Sequence, residues 1–122
     1  MIELPLANPT RGDLTPTAAG FLRLVADPTR RRIFLRLMDG ETCNCELVQL
    51  LALPQNLISH HLRQLREAGL VRTRRDAQDQ RWVYYAVDRE VLARVHQEVA
   101  GLFDPARLGE RAPRCGPATE RC

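Results

Sequence analysis

Four cysteines carry the most distinctive chemistry in this chain of 122 residues, and their spacing divides them into a close pair and a distal pair. Cys43 and Cys45 stand two apart, just before an apolar stripe of helical period, while Cys115 and Cys122 lie in the last stretch. A thiol at a helix start sits among unpaired backbone amides, which favour the thiolate, the form that binds soft ions. On an ideal helix residues two apart point about 200° away from each other. Both sulfurs therefore reach one ion only if the first turn is distorted or is not yet helical. Glu41 and Glu46 flank the pair and fit the ordinary preference for acids at a helix start. A third sulfur has to come from the tail. The chain from Leu102 to Cys115 spans up to roughly 43 Å when extended, enough to reach the pair within one chain or across a dimer. Cys115 is nearer the folded part than Cys122, so ordering the tail to reach it costs less entropy. Three thiolates without a nearby histidine or carboxylate cluster suit thiophilic ions. A Cys115–Cys122 disulfide, incidental tail cysteines and a purely redox pair at Cys43–Cys45 stay open as other readings.

The second constellation lies in Pro54–Val71, PQNLISHHLRQLREAGLV. Ile58, Leu62 and Leu65 recur at the spacing of one helical stripe. Asn56, Ser59, His60 and Arg63 fall on the opposite face, with Gln55 nearer the helix start. Amide, hydroxyl, imidazole and guanidinium groups are those that hydrogen-bond base edges and phosphates, although a solvated polar face has the same composition. His61 flanks the core side. Gly69 suits the C-terminal cap, where glycine turns left-handed without steric cost.

The elements that must position these residues follow from caps and periodicity. Thr15-Pro16 reads as a helix start, with Ala18, Phe21, Leu22 and Val25 as its stripe. Asp27-Pro28 repeats the signal for a second helix running to Met38, with Ile33, Phe34, Leu37 and Met38 inward, Gly40 as its cap and an arginine-rich outer side. A third, short helix covers Cys45–Ala52, with Leu47, Leu50 and Leu51 inward. The tight connection Ala52-Leu53-Pro54 then makes a helix-turn-helix with the following helix. Val71–Arg75 and Arg81–Val87 read as two strands of a hairpin wing, carrying Arg74, Arg75 and Arg81 near its tip and flanks. Trp82 and Tyr84 alternate with Val83 and Tyr85, so that one pair faces inward. Asp88 caps a last helix with the stripe Val91, Leu92, Val95, Val99 and Leu102. The stripes of the first and last helices are most simply buried against a second copy of the chain.

The expected organisation is a flexible arm over 1–14, a winged helix-turn-helix domain over 15–102 and a flexible, cysteine-containing tail over 103–122. The fold class is mainly α with a β-hairpin wing, homodimeric, with about five helices and two strands. The net charge of +3 is carried without any lysine; arginine is the better fork for phosphate and guanine, and codon bias explains its dominance as simply. No signal pattern or bilayer-length apolar run is found, so a cytoplasmic protein with no membrane partner is expected. There is no Cys-x-x-Cys pair, glycine-rich phosphate loop or acid–base constellation, so an enzyme is not expected.

Three runs in order, Cys43-Asn44-Cys45-Glu46-Leu47, then Ser59-His60-His61-Leu62 with Leu65–Val71, then Arg81-Trp82-Val83-Tyr84-Tyr85, resemble the ArsR/SmtB family of bacterial metal-responsive repressors, over about Thr15 to Leu102. The resemblance implies a homodimeric winged helix that binds double-stranded operator DNA and leaves it when metal binds. It also points to As(III) or Sb(III) as inducer first, and Cd(II) or Pb(II) second. Val48 stands where the arsenic branch often carries a third cysteine, which directs the search for that ligand to Cys115 and Cys122. Glu90 stands where the family's zinc-type site on the last helix needs histidine, so that site is not expected. Ala52 and Pro54 occupy turn and helix-start positions where the family often has glycine and serine.

Overall fold

The computed structural model describes residues 17–117. The expected arm over 1–14, the Thr15-Pro16 helix start and Cys122 lie outside the described residues. Five helices, a three-stranded sheet and a short 3-10 turn follow one another in the order α1 (Ala18–Ala26), α2 (Pro28–Leu37), β1 (Thr42–Cys43), α3 (Asn44–Leu51), α4 (Gln55–Glu67), β2 (Val71–Arg75), β3 (Val83–Val87), α5 (Arg89–Leu102) and the turn Pro105–Arg107.

Local chemistry sets the boundaries. Thr17 caps α1, its hydroxyl accepting from the Gly20 amide at 3.1 Å. Asp27 caps α2 by accepting from the Arg30 amide at 2.9 Å, with Pro28 at the first helical position. Asp88 caps α5 by accepting from the amides of Glu90 and Val91. Ala52 ends α3 in the left-handed conformation at φ 54°, a geometry that costs an alanine more than a glycine. After α4, Gly69 takes φ 85°, as its place after the last helical turn requires.

The core gathers where α2, α3, α4 and α5 meet the sheet. Ile33, Leu47, Ile58, Leu62, Leu65 and Leu70 are fully buried there, and Phe21 of α1 packs edge-on against Phe34 with ring centroids 5.6 Å apart. The Ala18 amide donates to the Glu98 carboxylate at 3.1 Å, tying α1 to α5. The last helix therefore spends part of its stripe inside its own protomer: Val91 and Val95 are buried, while Leu102 and, on α1, Leu22 stay exposed. Met38 and Leu50, expected inward, are both about half exposed. α2 ends at Leu37, one residue before Met38. Leu50 lies on the outer side of a two-turn helix whose inward face is filled by Leu47 and Leu51.

The sheet differs from the expected hairpin in two respects. It has a third strand, β1, and the order is β1-β3-β2 with both pairings antiparallel. Thr42 pairs with Tyr85 and Cys43 with Tyr84, so the wing's returning strand is central. β3 begins at Val83 rather than Arg81. Arg81 and Trp82 belong to the turn, where the Trp82 amide donates to the Asp79 carbonyl and the Asp76 amide to the Trp82 carbonyl.

Candidate functional site

The cysteine pair is assembled by the change from strand to helix. Cys43 is extended, at φ −106° and ψ 165°, and is the N-cap of α3, whereas Cys45 lies in the helix's first turn. Their side chains therefore do not diverge as two helical residues would, and the sulfurs stand 2.6 Å apart. No distortion of α3 is needed to bring them together. Both thiols are free, with Cys45 exposed and Cys43 half-buried. The expectation that helix-start amides simply favour the thiolate needs correction. The Cys45 thiol is pushed up, first by its hydrogen bond with Cys43, then by burial and by the charge of Cys43; the amides of Glu46 and Cys45 pull it down by less. The neighbouring sulfur makes the Cys45 thiol harder to ionise, and an ion that bridges both sulfurs must displace the thiol protons.

A tetrahedral thiophilic ion with metal–sulfur bonds of about 2.3 Å needs its sulfurs roughly 3.7 Å apart. The pair would open by about 1 Å to hold such an ion, which is within the reach of side-chain rotation. Among the described residues no group of three His, Cys, Asp or Glu side chains is placed to hold a metal. Cys115 is disulfide-bonded, with neither Cys43 nor Cys45, which are free. The structure thus brings together two of the four candidate sulfurs and does not bring Cys115 to them.

The sulfurs open on a cleft of about 520 Å³ lined by Cys43, Asn44, Cys45, Gln55, Arg81, Trp82, Val83 and Tyr85. One wall is the first residue of α4 and another is the turn end of the wing with the start of β3. Sequence reasoning did not single out Asn44. Its side-chain amide donates to the Ser59 hydroxyl at 2.7 Å, while its Oδ1 is buried without a hydrogen-bond partner. The signal was present only as a polar residue held between the two cysteines.

The expected DNA face is mostly open. Gln55, Asn56, His60 and Arg63 are exposed on α4, whereas Ser59 is half-buried and held by Asn44. His61 is buried, as its core-side position predicts. The wing arginines are occupied within the chain. Arg74 makes a two-pronged pair with Glu41, both contacts at 2.8 Å, and lies 4.6 Å over the Tyr84 ring. That guanidinium holds the Glu41 carboxyl below its usual range. Arg75 donates to the Gln80 carbonyl at 2.8 Å, and Arg81 clasps Asp79 at 2.9 and 2.8 Å, lowering that carboxyl too. Solvent screens exposed pairs of this kind and they contribute little, so a phosphate can replace the carboxylate at little cost.

This arrangement, a two-helix reading unit with a wing, is shared with known proteins. The family described as bacterial regulatory protein, arsR family, matches residues 27–73. The arsenic resistance transcriptional regulator ArsR1 of Pseudomonas putida is 44% identical over 92 residues, covering 75% of this chain and 68% of its own. A transcriptional repressor SmtB homolog of Synechocystis sp. is 33% identical over 88 residues, covering 72% of this chain and 64% of its own. A crystal structure of a possible transcriptional regulator for arsenical resistance superimposes with a TM-score of 0.55 at 38% identity, covering 72% of this chain and 84% of that one. The identity to ArsR1 extends well beyond the helix-turn-helix, over three quarters of this chain. The chain belongs to the ArsR family of winged-helix transcriptional regulators, which bind DNA and are not enzymes.

Proposed function

We propose that this chain is a metalloid-responsive repressor that binds an operator as a dimer and releases it when a thiophilic ion occupies Cys43 and Cys45. One observation carries the reading: two free thiols 2.6 Å apart share a cleft with Gln55 of the reading helix and with Arg81 and Trp82 of the wing. Two groups that must sit still on DNA thus border the place where an ion would widen the sulfur pair. The arsenic-resistance regulators among its relatives favour As(III) or Sb(III) as inducer, with Cd(II) or Pb(II) as alternatives of the same softness. Cys43 and Cys45 would hold the ion. Cys115 and Cys122 are the proposed further ligands once the disulfide at Cys115 is reduced, as thiol-based reductants of a cytoplasm would do. No helix among the described residues is long and apolar enough to cross a membrane.

The dimer would form through α1 and α5, whose Leu22 and Leu102 remain exposed. Two copies related by a two-fold axis would read half-sites about one helical turn apart. Gln55, Asn56, Ser59, His60 and Arg63 would face the bases, with Arg74, Arg75 and Arg81 exchanging carboxylate or carbonyl partners for phosphates.

The contact between the thiols also favours a second reading, in which peroxide closes a Cys43–Cys45 disulfide. Two thiols lose two protons and two electrons, and the peroxide is reduced to water. One experiment separates the readings. Arsenite is titrated into a protein–operator mixture under a thiol reductant, alongside Cys45→Ser. Release of wild type with loss of the response in Cys45→Ser, its operator affinity intact, supports the ion reading. Release by peroxide alone, before reductant is added, supports the redox reading and overturns the first.

A further inference from the structure

We infer that Asn44 is a positioning residue that couples the state of the sulfur pair to the DNA-reading helix through its hydrogen bond to Ser59. The inference rests on the ion-site reading above. Asn44 is the residue between the two cysteines, so its backbone is fixed on one side by the pairing of Cys43 with Tyr84 and on the other by the first turn of α3. Its side chain leaves α3 and donates to Ser59 Oγ at 2.7 Å, fifteen residues along the chain. No other described side-chain hydrogen bond joins the Cys43–Cys45 segment to α4.

The other half of the same amide is unsatisfied: Oδ1 is buried and has no partner. Buried polar groups are nearly always paired, and an orphan raises the free energy of the arrangement that contains it. The pose with Asn44 on Ser59 is therefore held by one bond against a standing penalty. Turning the amide so that Oδ1 reaches water or a backbone amide removes the penalty and gives up Ser59. That is a two-pose element with a small gap, the kind of device a modest push redistributes. Opening the sulfur pair by about 1 Å to ion-binding spacing turns the side chains on both sides of Asn44 and supplies such a push. Ser59 lies on the helix between Asn56 and His60, the exposed groups of the reading face. Loss of its tether leaves the N-terminal half of α4 held to α3 by the apolar packing of Ile58 alone. The Ser59-bonded pose belongs to the operator-binding form, and the turned pose to the released form.

The test uses the full-length protein and measures three quantities for each variant: Cd(II) affinity from the thiolate–metal ultraviolet band, operator affinity without ion, and operator affinity with Cd(II) saturating. The ratio of the last two is the coupling factor, which linkage makes the same whichever ligand is varied. Asn44→Ala is expected to keep the Cd(II) site and to bind Cd(II) at least as tightly as wild type, because the pose that the ion disfavours has lost its bond. Its ion-free operator affinity is expected to weaken, and its coupling factor to shrink, by about three- to tenfold, the size of one neutral hydrogen bond. Ser59→Ala, which removes the same bond from the other side and leaves the cysteine segment intact, is expected to shrink the coupling factor equally. Adding Asn44→Ala to it should change that factor no further. Ser59→Thr, which keeps the hydroxyl, should restore it. A wild-type coupling factor in Asn44→Ala, or additive losses in the double variant, overturns the inference and leaves the ion site standing. No Cd(II) response in wild type, or undiminished Cd(II) binding in Cys43→Ser with Cys45→Ser, overturns the ion site and the inference with it.

Discussion

From His61 to its end, α4 is locked into the protein; from Pro54 to Ser59 it is only resting on it. The C-terminal half buries Leu62 and Leu65 completely. It is also strapped by Arg30, whose Nη1 donates to Gln64 Oε1 at 2.6 Å while its Nε donates to the Leu24 carbonyl at 2.6 Å. One guanidinium thereby joins the end of α1, the start of α2 and the back of α4. The N-terminal half has Ile58 in the core, but its N-cap is Pro54, which makes no side-chain capping bond. It is entered through a strained Ala52, and beyond the packing of Ile58 with Leu47 and Leu51 the Asn44–Ser59 bond is the described side-chain hydrogen bond that ties it to α3. The difference assigns separate tasks to two halves of one helix. The locked half specifies the fold, and the other half, which carries Gln55, Asn56 and Ser59, is anchored in the core through Ile58 alone among its fully buried side chains and has fewer bonds to break when its pose changes.

The largest expected effect breaks the locked half. Leu62→Ala should lower unfolding free energy by about 2–5 kcal/mol, the range for a buried leucine that leaves a cavity, read from urea denaturation. A cost below about 1 kcal/mol would mean that this half is no better anchored than the other.

A smaller effect comes from His61 in the same region. Burial is the main cause that pushes its imidazole below the ordinary 6.5, with Arg30 and His60 adding to the shift and Asp27 opposing it. Arg30 Nη1 lies 3.5 Å from Nδ1, and since a guanidinium only donates, that contact favours the neutral ring. Below pH 6.5 the unfolded chain takes up a proton that the folded chain refuses. Stability should therefore fall as pH drops from 6.5 towards the lowered folded value, and stay level with respect to this group above 6.5. Urea midpoints at about pH 7.5 and 5.5 should differ in wild type and converge in His61→Gln. Equal midpoints in wild type would show that the locked half does not exclude the proton.

The smallest effect sharpens the other side of the comparison. Ala52 at φ 54° sits where an L-residue is disfavoured by about 1–2 kcal/mol, and glycine's extra freedom in the unfolded chain returns about 0.5–1 kcal/mol of that. Ala52→Gly is expected to raise stability by up to about 1 kcal/mol. A loss of stability would mean that Ala52 makes contacts that outweigh its backbone strain.

What was legible in the sequence was what depends on neighbours along the chain. The caps Asp27 and Asp88 and the stripe Ile58, Leu62 and Leu65 all stand as read, because capping and helical period are local. β1 was not legible: Thr42 and Cys43 are two residues, too few for any alternation, and they become a strand only by meeting Tyr84 and Tyr85 some forty positions away. The same long-range pairing decides the sulfur geometry. The spacing of Cys43 and Cys45 left open whether they converge, and only the extended conformation of Cys43 settles it. Met38 and Leu50 were misplaced because periodicity marks a stripe without saying how far the neighbouring elements extend to cover it. The Asn44–Ser59 contact had no sequence signal beyond two polar residues in different helices.

The chain has one tryptophan, and Trp82 forms part of the cleft wall that the two sulfurs face, about half of it open to solvent. Indole emission from this protein therefore reports from one place only, with no background from elsewhere in the fold. A thiophilic heavy ion arriving at the sulfurs, or DNA closing over the wing, alters the surroundings of that indole directly. The protein carries its own fluorescent reporter, placed where the two ligands would meet, and can be titrated without a dye or a label.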